Sequence, residues 1–183
     1  MEREELARAI YDRAHLTGEF TLRSGAVSHE YFDKYLFEAD PELLREITDS
    51  LAPLVPDGTD ALAGLELGGI PIATMLSQRT GLPAVFVRKE AKEYGTCRLA
   101  EGGDIDGQRL TIVEDVVTSG GQVVISCGDL RERGAIVETA LCVIDREAGG
   151  REALRDIGVE LRPLFTLTEL TPENPFRGNL AAP

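Results

Sequence analysis

Apolar positions Leu6, Ala9, Ile10 and Ala14 recur at helical spacing near the start of the chain. They predict a first helix over 2–16, with Gly18 as its natural stop. Short apolar bursts over 19–22 and 31–37, set about Ser24-Gly25, predict a small β excursion. A helix is expected over 41–54, with Asp40 as its cap and Pro41 in its first turn. From there the pattern becomes regular. Continuous apolar runs at 61–67, 84–87, 110–113, 136–144 and 160–165 read as strands. Segments 70–79, 122–133 and 152–157 read as helices, and 94–108 as a long loop rich in glycine and aspartate. Continuous strands alternating with helices imply βαβ units, hence an α/β fold with a parallel sheet covered by helices on both faces. No linker or repeat divides the chain, so residues 1–183 are expected to form a single domain. Its small N-terminal addition is mainly 1–40 and its α/β core about 41–170. In open parallel sheets ligands bind beyond the carboxyl ends of the strands. That rule selects the loops 66–69, 88–89, 114–122 and 145–146.

Composition narrows the function. No apolar run approaches the roughly 20 residues needed to span a bilayer, and Met1 to Glu5 is too acidic for a signal peptide. The three cysteines, Cys97, Cys127 and Cys142, form no CxxC pair and suit a reducing compartment, so the expected address is the cytoplasm. Thirty-two acids face nineteen bases, for a net charge of −13. Such a surface repels phosphate backbones and anionic lipids, which argues against nucleic-acid or membrane partners. Sixteen of the bases are Arg and only Lys34, Lys89 and Lys92 are Lys. Acid excess with scarce lysine suggests a high-salt cytoplasm, as in a halophilic archaeon; an acidic mesophilic protein is the alternative.

The sharpest chemical signal follows the run 110–113: Glu114-Asp115-Val116-Val117-Thr118-Ser119-Gly120-Gly121-Gln122. Two adjacent carboxylates at the exit of a buried strand repel unless a ligand or cation takes up their charge. A vicinal diol offers two hydroxyl donors to such acceptors. The Thr118 to Gly121 loop supplies small hydroxyls and backbone N–H groups at the positive end of the next helix, a cradle for phosphate. Diol acceptors beside a phosphate cradle match a ribose 5-phosphate. A glycine-rich surface turn with acids at a cap is the competing structural explanation. Neither GxxxxGK[ST] nor GxGxxG is present, which disfavours nucleoside triphosphates and dinucleotides.

These residues resemble the donor-binding motif of the type I phosphoribosyltransferases, which act on 5-phosphoribosyl 1-diphosphate (PRPP). Within that superfamily nearly the whole chain resembles the orotate phosphoribosyltransferases. Gly18 to Gly25, then Ser28 and Tyr31-Phe32-Asp33, is similar to their N-terminal substrate hood. Gly68-Gly69-Ile70-Pro71 is similar to their diphosphate loop, and Arg88-Lys89-Glu90-Ala91-Lys92 to the basic segment opening their mobile catalytic loop. Asp145-Arg146-Glu147 matches the strand end that holds their orotate-binding arginine.

The resemblance implies transfer of phosphoribosyl from PRPP to orotate, giving orotidine 5′-monophosphate and diphosphate in pyrimidine biosynthesis. Mg²⁺ would be held mainly through PRPP, and a homodimer would share the basic loop between subunits. Glu114 and Asp115 would hold the ribose hydroxyls and Thr118 to Gln122 the 5-phosphate, with Val116 and Val117 part of the same PRPP site. Arg88, Lys89 and Lys92 would take the diphosphate, with Gly68 and Gly69 forming its turn. Thr118, Arg146, Arg23, Tyr31 and Phe32 would receive orotate, Tyr31 and Phe32 as walls to its ring. An ion pair from Arg146 to Asp145 or Glu147 is the competing role for that arginine. Tyr94 stands where the family often has a histidine, and Arg23 where it commonly has a lysine. A phosphoribosyltransferase for another base and a non-catalytic PRPP-sensing regulator are the rival readings.

Overall fold

The computed structural model describes residues 1–21, 25–90 and 98–171. Helix α1 (Arg3–Ala14) leads directly into strand β1 (His15–Thr21), which pairs antiparallel with β2 (Val27–Phe32). Gly18 therefore lies inside a strand and is not a helix stop. The helix ends earlier because His15 and Leu16 are already committed to β2, opposite Phe32 and Tyr31. A one-turn helix, α2 (Tyr35–Glu38), replaces strand in the second half of the expected 31–37 run. Helix α3 (Pro41–Leu51) follows, extended by a 3₁₀ turn at Ala52–Leu54. The Asp40 carboxylate accepts from the Glu42 and Leu43 N–H groups, each at 3.2 Å, a cap worth about 1 kcal/mol.

The core alternates as the apolar pattern predicts: β3 (Ala61–Leu65), α4 (Gly69–Thr80), β4 (Ala84–Val87), β5 (Ala100–Glu101) and β6 (Arg109–Val117). After them come α5 (Gly121–Glu132), β7 (Ile136–Asp145), α6 (Gly150–Asp156), β8 (Glu160–Thr166) and α7 (Leu167–Leu170). The sheet order is β5-β4-β3-β6-β7-β8, parallel throughout except for β5. That edge strand runs back against β4, with Val87 opposite Ala100, and the Arg88 N–H donates to the Leu99 carbonyl at 2.9 Å.

Two buried clusters pack the faces of the sheet. Ile112, Leu130, Cys142 and Leu154 belong to one, and Ile10, Ile47, Leu76 and Phe165 to the other. Each such apolar side chain contributes about 1.5–3 kcal/mol by leaving water. Among the described residues no helix is long and apolar enough to cross a membrane. The chain moves outward from β3 to β4 and then returns to β6 on the other side of β3. The strand order thus reverses between β3 and β6, which opens a crevice at their carboxyl ends.

Candidate active site

Strand β6 is longer than its apolar run. Pairing with β7 continues past Val113, placing Glu114 opposite Cys142 and Val117 opposite Asp145. The acid pair thus lies within the strand and is buried: Glu114 is 9% exposed and Asp115 0%. The sequence places both acids against a diol, yet only Glu114 keeps any surface. Asp115 Oδ2 lies 2.6 Å from Lys34 Nζ, and Asp115 Oδ1 accepts the Val116 N–H at 2.5 Å. Glu114 Oε1 accepts the Asp115 N–H at 2.9 Å. The backbone of Gly68 presses on the same group, since a Cβ there would come 1.6 Å from Asp115 Oδ2 and 2.9 Å from Glu38 Oε1.

The cation that the acid pair requires is therefore the chain's own Lys34, which the sequence motifs leave unassigned. Glu38, also buried, is the fourth member of the group. Loss of hydration, reinforced by Asp115, pushes Glu38 up to about 9 and Glu114 well above its ordinary value. Burial opposes ionisation of Asp115 as well, but hydrogen bonding from Glu114 and the Lys34 charge hold it below the usual carboxylate range. Lys34 is raised, because Asp115 outweighs its own desolvation. The cluster thus pairs Lys34 with Asp115, beside two acids whose burial favours their protonated forms.

Beyond Val117 the chain turns at Gly120, whose φ of 75° favours glycine. It then enters α5, where no side chain caps the first-turn N–H groups. These amides are donors awaiting an anion. The turn is braced from below by Gly150, a residue the motifs do not flag. A Cβ at Gly150 would lie 2.6 Å from the Thr118 carbonyl oxygen and 2.5 Å from Val117 Cγ1. Ser119, Gly121 and Gln122 are exposed at the mouth of the turn.

Across the crevice, β3 is followed by Glu66, a cis peptide to Leu67, and the Gly68-Gly69 turn. A Cβ on Gly69 would fall 2.2 Å from the Val113 carbonyl oxygen, so only glycine lets this turn lie against β6. Glu66 Oε1 accepts the Lys89 N–H at 2.7 Å, joining the turn to the basic segment. Lys89 is exposed, while Arg88 Nε lies 3.5 Å from Glu101 Oε1. Lys92, Tyr94 and Arg23 lie outside the described residues.

At the end of β7, Asp145 accepts from the Glu147 N–H at 2.9 Å and lies 3.2 Å from Arg151 Nη2. Glu147 accepts from the Thr168 N–H and hydroxyl at 2.9 and 2.6 Å. Both acids that could pair with Arg146 are thereby engaged elsewhere, and among the described residues Arg146 has no ion pair. Its own N–H donates to the Val117 carbonyl at 2.9 Å, and burial lowers the guanidinium's pKa. Arg146 lines a small pocket with Phe32, Val116, Ile144, Leu167, Tyr11 and His15. Tyr31 is not in it. Successive strand residues face opposite ways, and Tyr31 stacks instead on Phe20, ring centroids 5.4 Å apart. Thr118 does not line the pocket either. Sequence reasoning misses Tyr11 and His15, although an aromatic pair at i and i+4 closing a helix is a readable signal; their rings stack at 4.8 Å.

Comparison with known proteins accords with this geometry. Residues 37–159 match the Phosphoribosyl transferase domain family. The orotate phosphoribosyltransferase of a Nocardioides species is 56% identical over 165 residues, spanning 90% of this chain and 92% of that protein. The chain belongs to the orotate phosphoribosyltransferase family. The orotate phosphoribosyltransferase of Halobacterium salinarum is 46% identical over 84% of this chain and 87% of its own. The crystal structure of Mycobacterium tuberculosis orotate phosphoribosyltransferase in complex with PRPP superposes with a TM-score of 0.78 at 28% identity, covering 92% of this chain and 98% of that one. The α/β architecture is thus that of the type I phosphoribosyltransferases.

Proposed function

We infer that this member of the orotate phosphoribosyltransferase family joins a ring nitrogen of orotate to C1 of PRPP. The C1–O bond to diphosphate breaks, its electron pair leaves with the diphosphate, the ring nitrogen gives up its proton to water, and orotidine 5′-monophosphate forms for pyrimidine biosynthesis. The observation that carries this reading is the buried acid pair beside the uncapped start of α5, at the reversal point of the sheet. Glu114, the acid with remaining surface, accepts from the ribose hydroxyls. The amides of Thr118 to Gln122 hold the 5-phosphate.

Lys89, with Arg88 and Lys92, neutralises the departing diphosphate. Arg146 pairs with the orotate carboxylate, a bidentate role supported by its lack of an ion pair among the described residues and its place beside Phe32. Holding two anionic reactants in register supplies much of the rate. Mg²⁺ bound to the donor adds positive charge at the diphosphate; among the described residues no cluster of three or more His, Cys, Asp or Glu side chains offers it a protein site. The active unit is a homodimer in which the basic segment serves a neighbouring subunit, working in a cytoplasm whose salt screens the net charge of −13. The high-salt reading rests on composition; the relatives include a Nocardioides bacterium as well as Halobacterium.

A DNA-binding regulator is disfavoured because the net charge of −13 repels a phosphate backbone, and α1 is committed to the core through Leu6 and Ile10. The test is the loss of orotate absorbance with PRPP and Mg²⁺, at low and molar KCl. Diphosphate release with a different base and not with orotate would overturn the assignment.

A further inference from the structure

Four ionisable side chains meet beneath the Gly68 turn, and the roles above use only one of them, Glu114. Glu38 Oε1 is buried with no hydrogen-bond donor placed on it, and Asp115 Oδ2, buried beside it, has the Lys34 ammonium as its charged neighbour. Two carboxyl oxygens facing one buried space are satisfied together when one acid keeps its proton and donates it to the other. Lys34 completes the arrangement from the opposite side, its Nζ 2.6 Å from Asp115 Oδ2. It also belongs to the hood: Lys34 follows Phe32, which lines the Arg146 pocket, by two residues, and is the residue from which α2 begins.

We propose that Lys34 and Glu38 are positioning residues that fix Asp115 under the diphosphate turn, so that donor binding depends on hood residues that never touch the donor. The proposal rests on the phosphoribosyltransfer reading of this site. Three observations argue for it. The Gly68 backbone lies against Asp115 and Glu38 with no room for even a methyl group, so movement of either acid moves the turn. Asp115 is 0% exposed, so water cannot replace Lys34 as its counter-charge. Glu38 lies one turn of α2 beyond Lys34, which puts both on the side facing β6. The charged groups facing Glu38 are Asp115, Lys34 and Asp33, with Glu114 behind Asp115.

Removing the Lys34 charge leaves Asp115 buried and unpaired, and the turn above it shifts. Ionising Glu38 sets a second negative charge against Asp115, with the same result.

The experiment is calorimetric titration of the full-length protein with PRPP and Mg²⁺, without a base, backed by steady-state kinetics with orotate. Lys34→Met is expected to weaken PRPP binding at least tenfold and to raise KM for PRPP more than it lowers kcat. Unchanged PRPP affinity in that variant would overturn the proposal. Should Lys34→Met fail to fold, Glu38→Gln still decides it, because glutamine can donate to Asp115 but cannot ionise. Wild-type affinity for PRPP is expected to fall severalfold between pH 7.5 and 9.5, and that of Glu38→Gln to stay flat. Identical pH profiles would refute the shared proton, and with it the role of Glu38. Weakened PRPP binding in Lys34→Met, in a wild type that consumes another base and not orotate, counts against the orotate assignment while upholding this one. A wild type that does not bind PRPP sinks both.

Discussion

The backbone N–H of Lys89 donates to the Glu66 side-chain Oε1 at 2.7 Å, so the chain entering the Gly68-Gly69 turn and the basic segment are fastened to each other. The Lys89 side chain takes no part in that bond and is exposed. Lys89→Ala is therefore expected to cut kcat by 10²-fold or more, the scale of losing one transition-state charge contact. Thermal stability should change by no more than about 0.5 kcal/mol, as for other surface truncations. Parallel kinetics and melting curves check both halves; near-normal turnover would refute the catalytic role.

Gly69→Ala addresses the close approach of β3 to β6. The new methyl group would meet the Val113 carbonyl at 2.2 Å, and a strand carbonyl cannot swing aside. A loss of about 3 kcal/mol is expected in urea denaturation, at the upper end of ordinary overpacking. Gly128→Ala, inside α5 where nothing lies within 4 Å, serves as the control and should stabilise by about 1 kcal/mol through helix propensity.

Arg146→Ala should raise KM for orotate by about 10²-fold while leaving PRPP affinity within a factor of about three, since a charge-assisted pair contributes about 1.5–3 kcal/mol. Arg146→Lys should recover little, because an ammonium cannot reproduce the two-pronged contact. Equal losses for both substrates would show that the arginine acts through the fold.

Stability should also depend on pH in a direction set by the buried acids. Glu38, raised to about 9, and Glu114, also raised, hold protons in the folded state that the unfolded chain gives up near pH 4.5. Folding then takes up protons between these limits, so stability is greatest below the unfolded value and declines as pH rises toward about 9. For one group the slope is at most about 1.4 kcal/mol per pH unit. Denaturation midpoints at pH 5, 7 and 9 should fall in that order, and Glu38→Gln should flatten the trend. A rise across the same range would contradict the protonated state of the cluster.

Much of the fold was legible because β3, β6 and β7 are buried on both faces and leave unbroken apolar runs. The end of β6 was not legible. Glu114 and Asp115 look like an exit into solvent, and only Lys34, distant in sequence, makes their burial tolerable. Lys34 itself carries no local signal. The Arg146 site was readable as a motif, but its availability depends on Arg151 and Thr168 having claimed the neighbouring acids. Tyr31 and Phe32 illustrate the opposite case, where strand alternation alone could have shown that the two rings part company. Gly150 escaped notice because its constraint is a contact between two turns, and no spacing rule encodes that.

The antiparallel return of β5 onto β4 closes the connection between them at its base, where the Arg88 N–H donates to the Leu99 carbonyl at 2.9 Å. Its length is then decoupled from the scaffold. Each doubling adds only about 0.6 kcal/mol of closure entropy, and no strand need shift register to accommodate it. Such a fastening lets the connection vary in length while the sheet beneath it keeps its register.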